Sequence, residues 1–314
     1  MVRRVAELVL IVLVGAMIAA APARAAAATP VGCSTADLVH AIQSANATPA
    51  ADTIKLARGC TYVFTTSTGV GTAVPEITAP LDIIGNNASI IRNSTIQFRM
   101  FVIAPGTEVS ISRLTLIGGH ALDGASSSDG QPGGAILNDG VLRLSHVALI
   151  ANRAGDAGTS SNVVGNAGGS GGAIENSTGA SLTVTKSRFV ANGAGAASDG
   201  TTFGGHGGDG GAIDNEGSLS VRSSTFTENQ AGSESSGLAT LPGLGGAIFT
   251  RHVITIKTSK IIGNFGGSDS ADQVVGSGGG IFNNSGSTIN AKRTKIRGNA
   301  PDNCAGDPVR HCRG

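Results

Sequence analysis

The chain has 314 residues, of which 48 are glycine, one is tyrosine and none is tryptophan, and its formal net charge is +1. Such a near-neutral balance excludes bulk electrostatic attraction to nucleic acid or to an anionic membrane. With so few aromatic side chains, the chain must bury small and β-branched residues by repetition, as solenoid proteins do.

Residues 1–25 are typical of an export signal peptide. Two arginines precede an apolar run, Leu8–Ala20, and small residues then lead to a cleavage point after Ala25. The run is shorter than the roughly 20 residues that a membrane span needs. Removal of three arginines and one glutamate with the signal leaves 19 basic and 20 acidic side chains, a net charge of −1. We therefore expect a secreted, extracellular protein with no transmembrane segment in its mature form and no nucleic-acid partner.

Residues 26–62 predict an N-terminal cap helix and a first strand. Ser34 opens a capping-box-like turn, and Leu38, Ala41, Ile42 and Ala45 follow at the spacing of one helix face. A short amphipathic helix would cover the unpaired strand edges at the open end of a solenoid. An unrelated surface helix is the alternative. Residues 63–119 then predict less regular early coils.

Residues 120–300 contain a motif, Gly-Gly-Ala-Ile or once Gly-Gly-Gly-Ile, that recurs five times, with its isoleucines 38, 39, 35 and 33 residues apart. Apolar residues alternate after each motif, as in Leu182 and Val184, which indicates strands with one buried face. Because one coil cannot cover its own apolar edge, equivalent coils must stack about 4.8 Å apart. The fold predicted is an all-β, right-handed parallel β-helix (a solenoid) with a short N-terminal capping helix.

The segments between coils are rich in Gly, Ser, Ala and Asp. This composition predicts long exposed insertion loops that project from one corner of the stack. They are Arg153–Ser170, Gly193–Asp209 and Gln230–Leu244.

Each coil closes on an asparagine that lies 16 or 18 residues after the motif isoleucine. Asparagine tolerates the left-handed conformation of a tight bend, and its amide can bond to the same amide one coil away. Ordinary turn residues without such bonds are the alternative. The predicted structural ladder consists of Asn152, Asn192, Asn229, Asn264 and Asn299.

These repeats resemble a known family. The recurring GGAI step, with Phe189-Val190-Ala191-Asn192 and Phe226-Thr227-Glu228-Asn229, is similar to bacterial secreted parallel β-helix repeat proteins of the pectin-lyase-like fold. It particularly resembles the polymorphic outer-membrane-protein type of repeat, in which GGAI and FxxN tetrads recur. The likeness covers residues from about 54 to 304. It implies the fold but no single activity, because that fold includes polysaccharide lyases, hydrolases and adhesins.

The four cysteines are an even set, which fits disulfide formation in an oxidising compartment. Of the three possible connectivities we favour Cys33–Cys60 and Cys304–Cys312, since each pair is local and lies at one end of the fold. The second pair would tie the C-terminal tail, residues 301–314. No spacing matches a zinc site, and no metal-binding residues are predicted in this chain.

Stacking would turn columns of the sequence into rows on the surface, and cationic side chains fall into three neighbouring columns. Cations about 4.8 Å apart suit a polyanion such as an acidic polysaccharide. A solvated strand face that limits aggregation is the alternative. The predicted basic stripe comprises Arg222, Lys257 and Lys292, then Arg113, Lys186 and Arg293, then Arg188, Lys260 and Lys295.

Two carboxylates are the candidate catalytic residues. Glu175 and Asp214 follow the isoleucine in neighbouring motifs, so they should lie one coil apart, near the ~5 Å of a retaining glycosidase pair. A lyase would instead need a base beside a cation or calcium. His206 and Asp209 lie in a glycine-rich stretch, which predicts either a flexible loop or an approach to calcium.

No nucleophilic triad and no dense catalytic cluster is evident in the sequence. We therefore expect a secreted or cell-surface binding, adhesion or structural protein that contacts glycans or the cell envelope and needs no cofactor, with calcium as the alternative. A secreted polysaccharide lyase or glycoside hydrolase of the same fold is the alternative function.

Overall fold

The structure is a computed structural model that describes residues 28–236, 238, 240–269, 273 and 276–312. The predicted signal peptide lies outside the described residues. Strands whose apolar residues alternate pair in parallel with the equivalent strands of the next coil. The protein is an all-β parallel β-helix with a single short helix near the N-terminus of the described chain.

The N-terminal helix α1, Thr35–Asn46, begins where the Ser34 hydroxyl accepts a hydrogen bond from the Asp37 backbone N–H at 3.1 Å. Its buried residues Leu38, Ile42 and Ala45 join the same apolar core as the first strands. The helix follows a strand, β1, which the sequence analysis missed and which pairs with β2. The early strands are β1 Thr29–Val31, β2 Asp52–Leu56, β3 Thr61–Phe64, β4 Leu81–Arg92, β5 Phe101–Ile103 and β6 Glu108–Ile117.

Each of the five repeat coils supplies three short strands. In chain order they are β7 Ile136–Asn138, β8 Val141–Ser145, β9 Ala148–Ile150, β10 Ile174–Asn176, β11 Ser181–Thr185, β12 Arg188–Val190, β13 Ile213–Asn215, β14 Ser218–Arg222, β15 Thr225–Thr227, β16 Ile248–Thr250, β17 Thr255–Lys257, β18 Lys260–Ile262, β19 Ile281–Asn283, β20 Ile289–Lys292 and β21 Lys295–Arg297. The last two strands are β22 Cys304–Gly306 and β23 Val309–Arg310.

The strands form three faces of the stack. The motif strands β7, β10, β13, β16 and β19 form one sheet with β5 and β22. Two further faces are formed by the second strands of the coils (β8, β11, β14, β17 and β20) and by the third strands (β9, β12, β15, β18 and β21). These two faces meet at β6, which pairs with both β8 and β9.

Matching side chains form vertical files inside the stack. Ile174 pairs in register with Ile136 and with Ile213, and the file continues through Ile248 to Ile281. All five isoleucines are fully buried. Phenylalanine stacks in the same way: the rings of Phe189 and Phe226 are 4.6 Å apart, a contact worth about 0.5–1.5 kcal/mol beyond the area it buries. The predicted stacking of the repeats is confirmed.

The closing asparagines form a continuous hydrogen-bonded ladder. Each Nδ2 donates to the Oδ1 of the next asparagine at 2.8–2.9 Å, and that Oδ1 also accepts the backbone N–H at 2.9–3.1 Å. The ladder ends at Asn303, one step beyond the five predicted residues. The sequence prediction was wrong on one point, because the left-handed residue is the one before each asparagine: Ala151, Ala191, Glu228, Gly263 and Gly298. The asparagine itself turns inward, where its amide is buried.

A second ladder was not predicted. Asn138 donates to Asn176 at 2.7 Å, Asn176 donates to Asn215 at 2.6 Å, and Asn215 donates to the Thr250 hydroxyl at 3.0 Å. The signal was present in the sequence as the Ile-x-Asn that ends four of the five motif strands. These ladders satisfy polar groups that the interior of the stack would otherwise leave unpaired.

The segments between the coils form a layer of backbone hydrogen bonds rather than free loops. The N–H of Gly169 donates to Gly155 O, Gly195 N–H to Gly169 O, and Gly208 N–H to Gly195 O, at 2.8–2.9 Å. The chain of bonds alternates between the outgoing and returning arms of successive segments. We call it the glycine layer: Gly155, Gly169, Gly195, Gly208, Gly232, Gly243, Gly267 and Gly276.

Glycine is required in this layer because the arms approach closely. A Cβ built on Gly195 would lie far inside contact distance of the Gly155 carbonyl oxygen, and Gly208 meets Gly169 in the same way. Among the described residues the arms are largely buried, whereas the tips, such as Val164 and Phe203, are exposed. The prediction of exposed insertion loops is therefore wrong for the arms of these segments.

The two ends are closed by the disulfides Cys33–Cys60 and Cys304–Cys312, as predicted. All four cysteines are thereby paired in disulfides. Within the described residues, no helix combines the length and the apolar character that crossing a membrane requires.

Candidate functional sites

The predicted carboxylate pair lies on the outer side of the motif sheet. Glu175 on β10 and Asp214 on β13 are direct register partners, as expected from their shared position after isoleucine. The same column holds Leu137 on one side and Phe249 and Phe282 on the other. Although this column faces outward, Glu175 is only 7% exposed and Asp214 only 2% exposed.

Two further carboxylates and one arginine complete this site. We call Glu175, Asp214, Glu216 and Asp209 the acidic cluster. One carboxylate oxygen from each of Glu175, Asp214 and Glu216 can be chosen so that all three lie within 4.8 Å of one another. Arg251 faces the cluster, with NH1 2.9 Å from Glu216 Oε1 and 3.5 Å from Asp214 Oδ1, and with NH2 3.7 Å from Asp209 Oδ2. Its guanidinium stacks 4.5 Å from the centre of the Phe249 ring.

Burial dominates the electrostatics of the cluster. It raises the pKa of Glu175 well above the usual value, and the neighbouring charge of Asp214 raises it further. Burial, followed by the charge of Asp209, raises the pKa of Asp214 to about 7, against the opposing effect of Arg251. Burial also raises the pKa of Asp209, although its Oδ1 accepts the Leu244 N–H at 2.8 Å.

Two oxygens of the cluster are buried without a hydrogen-bond partner, Glu175 Oε2 and Asp214 Oδ1. An unpaired buried oxygen of this kind costs about 1–3 kcal/mol, and more when it is charged. The cluster therefore favours uptake of positive charge.

The geometry does not favour the catalytic role predicted for Glu175 and Asp214. Their separation fits a retaining glycosidase pair. However, a sugar ring must contact both carboxyl groups, and burial to 7% and 2% exposure leaves almost no surface for that contact.

His206 and Asp209 lie on either side of Gly208 of the glycine layer, in backbone that is hydrogen-bonded to neighbouring arms. Their neighbours Gly207 and Gly208 donate backbone hydrogen bonds to adjacent arms. Asp209 joins the acidic cluster through Arg251, whereas His206 Nδ1 lies 2.7 Å from the Gly207 carbonyl oxygen beside an apolar tip.

Sequence reasoning missed Glu216 and Arg251. Both follow a motif strand directly, so alignment by column would have placed them on neighbouring coils. The backbone confirms this placement, because the Arg251 N–H donates to Asn215 O and the Glu216 N–H donates to Asn176 O.

The predicted basic stripe is only partly continuous. Arg222, Lys257 and Lys292 are direct register neighbours on β14, β17 and β20. Lys260 and Lys295 are neighbours on β18 and β21. Arg188 is separated from Lys260 by Thr225.

The second predicted column, which contains Arg113, Lys186 and Arg293, lies at the corner between the second and third strands. Its residues are left-handed, with φ between 48° and 57°: Arg113, His146, Lys186, Ser223, Thr258 and Arg293. The three cations of that column are therefore not adjacent to one another.

The structure thus concentrates six of the nine predicted cations at the C-terminal half of the stack. We call these six the basic patch: Arg222, Lys257, Lys260, Lys292, Arg293 and Lys295. All six are exposed, and four of them line one shallow groove with Thr258. In the part of the chain that the structure describes, no carboxylate lies within 4.0 Å of any of them.

No family model, curated protein or solved structure matches this chain. The parallel β-helix is established by the strand pairing of the chain itself. The likeness to the pectin-lyase-like fold and to polymorphic outer-membrane-protein repeats stays a prediction.

Proposed function

We propose that this chain is a secreted or cell-surface β-helix protein that binds a linear polyanion through the basic patch without turning it over. The observation that carries the proposal is the set of six exposed cations, five of them register neighbours, with no carboxylate of the described residues within 4.0 Å. An acidic polysaccharide or an anionic polymer of the cell envelope is the ligand class that this surface fits.

The spacing of the cations supports a ligand with repeated charges. Register neighbours such as Lys257 and Lys292 lie one strand spacing apart, about 4.8 Å. Like charges this close repel one another unless a counter-charge lies over them. Because no described carboxylate lies within 4.0 Å of these cations, an anionic chain lying along the column would relieve the repulsion at several cations at once.

Neutral polar residues flank the charges and add hydrogen-bonding groups. Ser220, Thr255 and Asn290 form the outward row two positions before the lysine column. Hydroxyl and amide groups in this row can bond to the hydroxyls of a polysaccharide while the cations hold its anionic groups.

An extracellular location agrees with the chemistry of the chain. The two disulfides need an oxidising compartment. Together with the predicted signal peptide at residues 1–25, they support export to the place where such polymers occur.

The binding test compares two triple variants of equal charge change. The patch variant is Arg222→Gln, Lys257→Gln and Lys292→Gln. The control variant is Lys55→Gln, Arg58→Gln and Arg113→Gln, three exposed cations outside the patch. Affinity for polygalacturonate, alginate and heparin is measured by calorimetry over a range of salt concentrations.

We expect the patch variant to bind roughly 10-fold to 100-fold more weakly, since three exposed charge contacts contribute up to about 1 kcal/mol each. The control variant should bind like the unmodified protein, and its salt dependence should be steeper than that of the patch variant. Equal losses in the two variants, or no binding to any of the three polymers, would contradict the proposal.

A polysaccharide lyase or hydrolase is the second candidate; its support is the register pairing of Glu175 with Asp214, and the burial of both carboxyl groups counts against it. The same incubations are followed for reducing ends and for ultraviolet-absorbing unsaturated products. Turnover that is lost in Glu175→Gln would replace binding by catalysis as the function.

A further inference from the structure

The acidic cluster brings together the side chains that a hard divalent cation prefers. Glu175 and Asp214 come from neighbouring coils, and Glu216 follows Asp214 by two residues. One carboxylate oxygen of each of the three residues lies within 4.8 Å of the chosen oxygens of the other two. Carboxylate oxygens are the usual protein ligands of Ca²⁺ and Mg²⁺. Acidic groups at a surface often have no such role, so burial and hydrogen bonding decide the matter here.

Unpaired oxygens in the interior of the cluster provide a second, independent observation. Glu175 Oε2 and Asp214 Oδ1 accept no hydrogen bond, although their side chains are only 7% and 2% exposed. Buried polar atoms in folded proteins are almost always paired. Among the described residues, Glu175 Oε2 has neither a hydrogen bond nor an ion pair, and Asp214 Oδ1 has a 3.5 Å ion pair with Arg251 but no hydrogen bond. These two oxygens on neighbouring coils therefore point to a partner that is not part of the protein chain.

The neighbouring arginines do not supply that partner. Arg251 makes its short contact with Glu216, at 2.9 Å, and lies 3.5 Å from Asp214 Oδ1 without a hydrogen bond to that oxygen. On the other side of Glu175, Arg99 donates instead to Gly133 O, Pro132 O and the Gln131 side chain at 2.8–3.2 Å. Arg251 thus forms ion pairs with Asp209, Asp214 and Glu216, whereas Glu175 interacts with Arg99 only through its charge.

We propose that Glu175, Asp214 and Glu216 bind one divalent cation, with Ca²⁺ preferred over Mg²⁺. Ca²⁺ bonds to oxygen at about 2.3–2.6 Å, so two of its ligands can lie up to about 5 Å apart. For Mg²⁺, with bonds of about 2.0–2.1 Å, that limit is about 4 Å and the geometry is stricter. Glu216 is the open side of the site, because its side chain is 36% exposed, and water can complete the coordination there.

The bound cation would join β10 to β13 on the outer side of the motif sheet. This face is distinct from the strands that carry the basic patch, so the cation site does not depend on the proposed function. Arg251 has a positioning role, since it holds Glu216 close to Asp214 while stacking on Phe249.

The test uses the full disulfide-bonded chain, stripped with EDTA and dialysed. Calorimetry with CaCl₂ and with MgCl₂ gives stoichiometry and affinity, and thermal unfolding is recorded with and without each ion. The site variant is Glu175→Gln with Asp214→Asn. The matched control is Glu76→Gln with Asp82→Asn, which changes one exposed Glu and one exposed Asp elsewhere.

We expect one Ca²⁺ per chain in the unmodified protein and in the control, with a melting temperature a few degrees higher in Ca²⁺. The site variant should bind no Ca²⁺. Its melting temperature should be equal to or higher than that of the EDTA-treated unmodified protein, and such a transition also demonstrates that the variant folds. Glu216→Gln, on the exposed side, should weaken Ca²⁺ at least tenfold without affecting the fold. No Ca²⁺ uptake, equal uptake by the site variant, or tighter binding of Mg²⁺ than of Ca²⁺ would each overturn the proposal.

Discussion

Replacing Asn192 with alanine removes the middle of the asparagine ladder. Its Nδ2 donates to Asn229 Oδ1 at 2.8 Å and to Leu149 O at 3.1 Å, while its Oδ1 accepts from the Asn152 N–H and Nδ2 at 3.0 and 2.9 Å. Asn229 Oδ1 keeps a second donor, the Asn192 N–H. The buried Asn152 N–H loses its partner, at about 1–3 kcal/mol, and each remaining bond contributes about 1 kcal/mol. We expect a loss of about 3–5 kcal/mol in the free energy of unfolding.

Urea unfolding of the disulfide-bonded protein measures this loss as a lower midpoint with an unchanged slope. Asn290→Ala is the control, because Asn290 lies exposed on β20, and surface changes of this kind stay within about 0.5 kcal/mol. If Asn192→Ala cost no more than the control, the ladder would not be a source of stability and the reasoning about buried amides would fail.

Two further predictions concern the acidic cluster and the glycine layer. Folding raises the pKa of Asp214 from 3.8 to about 7, so in EDTA the folded state keeps its proton longer and stability falls between pH 4 and 7, by up to about 4 kcal/mol. Asp214→Asn should flatten this fall in pH-dependent urea unfolding, and an unchanged profile would show that the carboxyl group is not buried in solution. Gly195→Ala should cost several kcal/mol because its Cβ would collide with the Gly155 carbonyl, whereas Gly193→Ala, with its nearest neighbour 3.9 Å away, should be tolerated. Equal melting temperatures for these two variants would contradict the close packing of the arms.

The vertical files could be predicted from the sequence because they repeat. Ile174 and Ile213 occupy equivalent positions in successive repeats. A coil with an apolar edge can cover that edge only by stacking on an equivalent coil. The pairing of Glu175 with Asp214 followed from the same alignment. Residues at equivalent positions of successive repeats become neighbours in the stack, so these contacts can be predicted without knowing the structure of the loops.

The glycine layer and the role of Arg251 could not be predicted in the same way. A glycine-rich segment has weak local preferences, and its order arises only when backbones of several segments lie side by side and exchange hydrogen bonds. Burial of Asp214 depends on that layer and on the arginine beyond it, so an outward position on a strand was taken to be open to solvent. Asn192 was predicted to take the left-handed conformation of the bend, but Ala191 takes it instead. The side-chain amide of Asn192 turns inward because it gains more from its buried hydrogen bonds than from forming the turn.

The glycine layer separates the parts of each segment that must keep their length from the part that is free to change. The outgoing glycine always stands three residues after the ladder asparagine, as in Asn192 and Gly195, and the returning glycine always stands five before the motif isoleucine, as in Gly208 and Ile213. Between the two glycines the spacing shrinks from 14 to 13, 11 and 9 residues along the chain. Variation in coil length therefore accumulates largely between the two glycines, beyond the last shared bond. Peptides grafted at these tips would be displayed in a row along the stack. One residue added between Asn192 and Gly195, by contrast, would shift the register of every later backbone hydrogen bond of that arm.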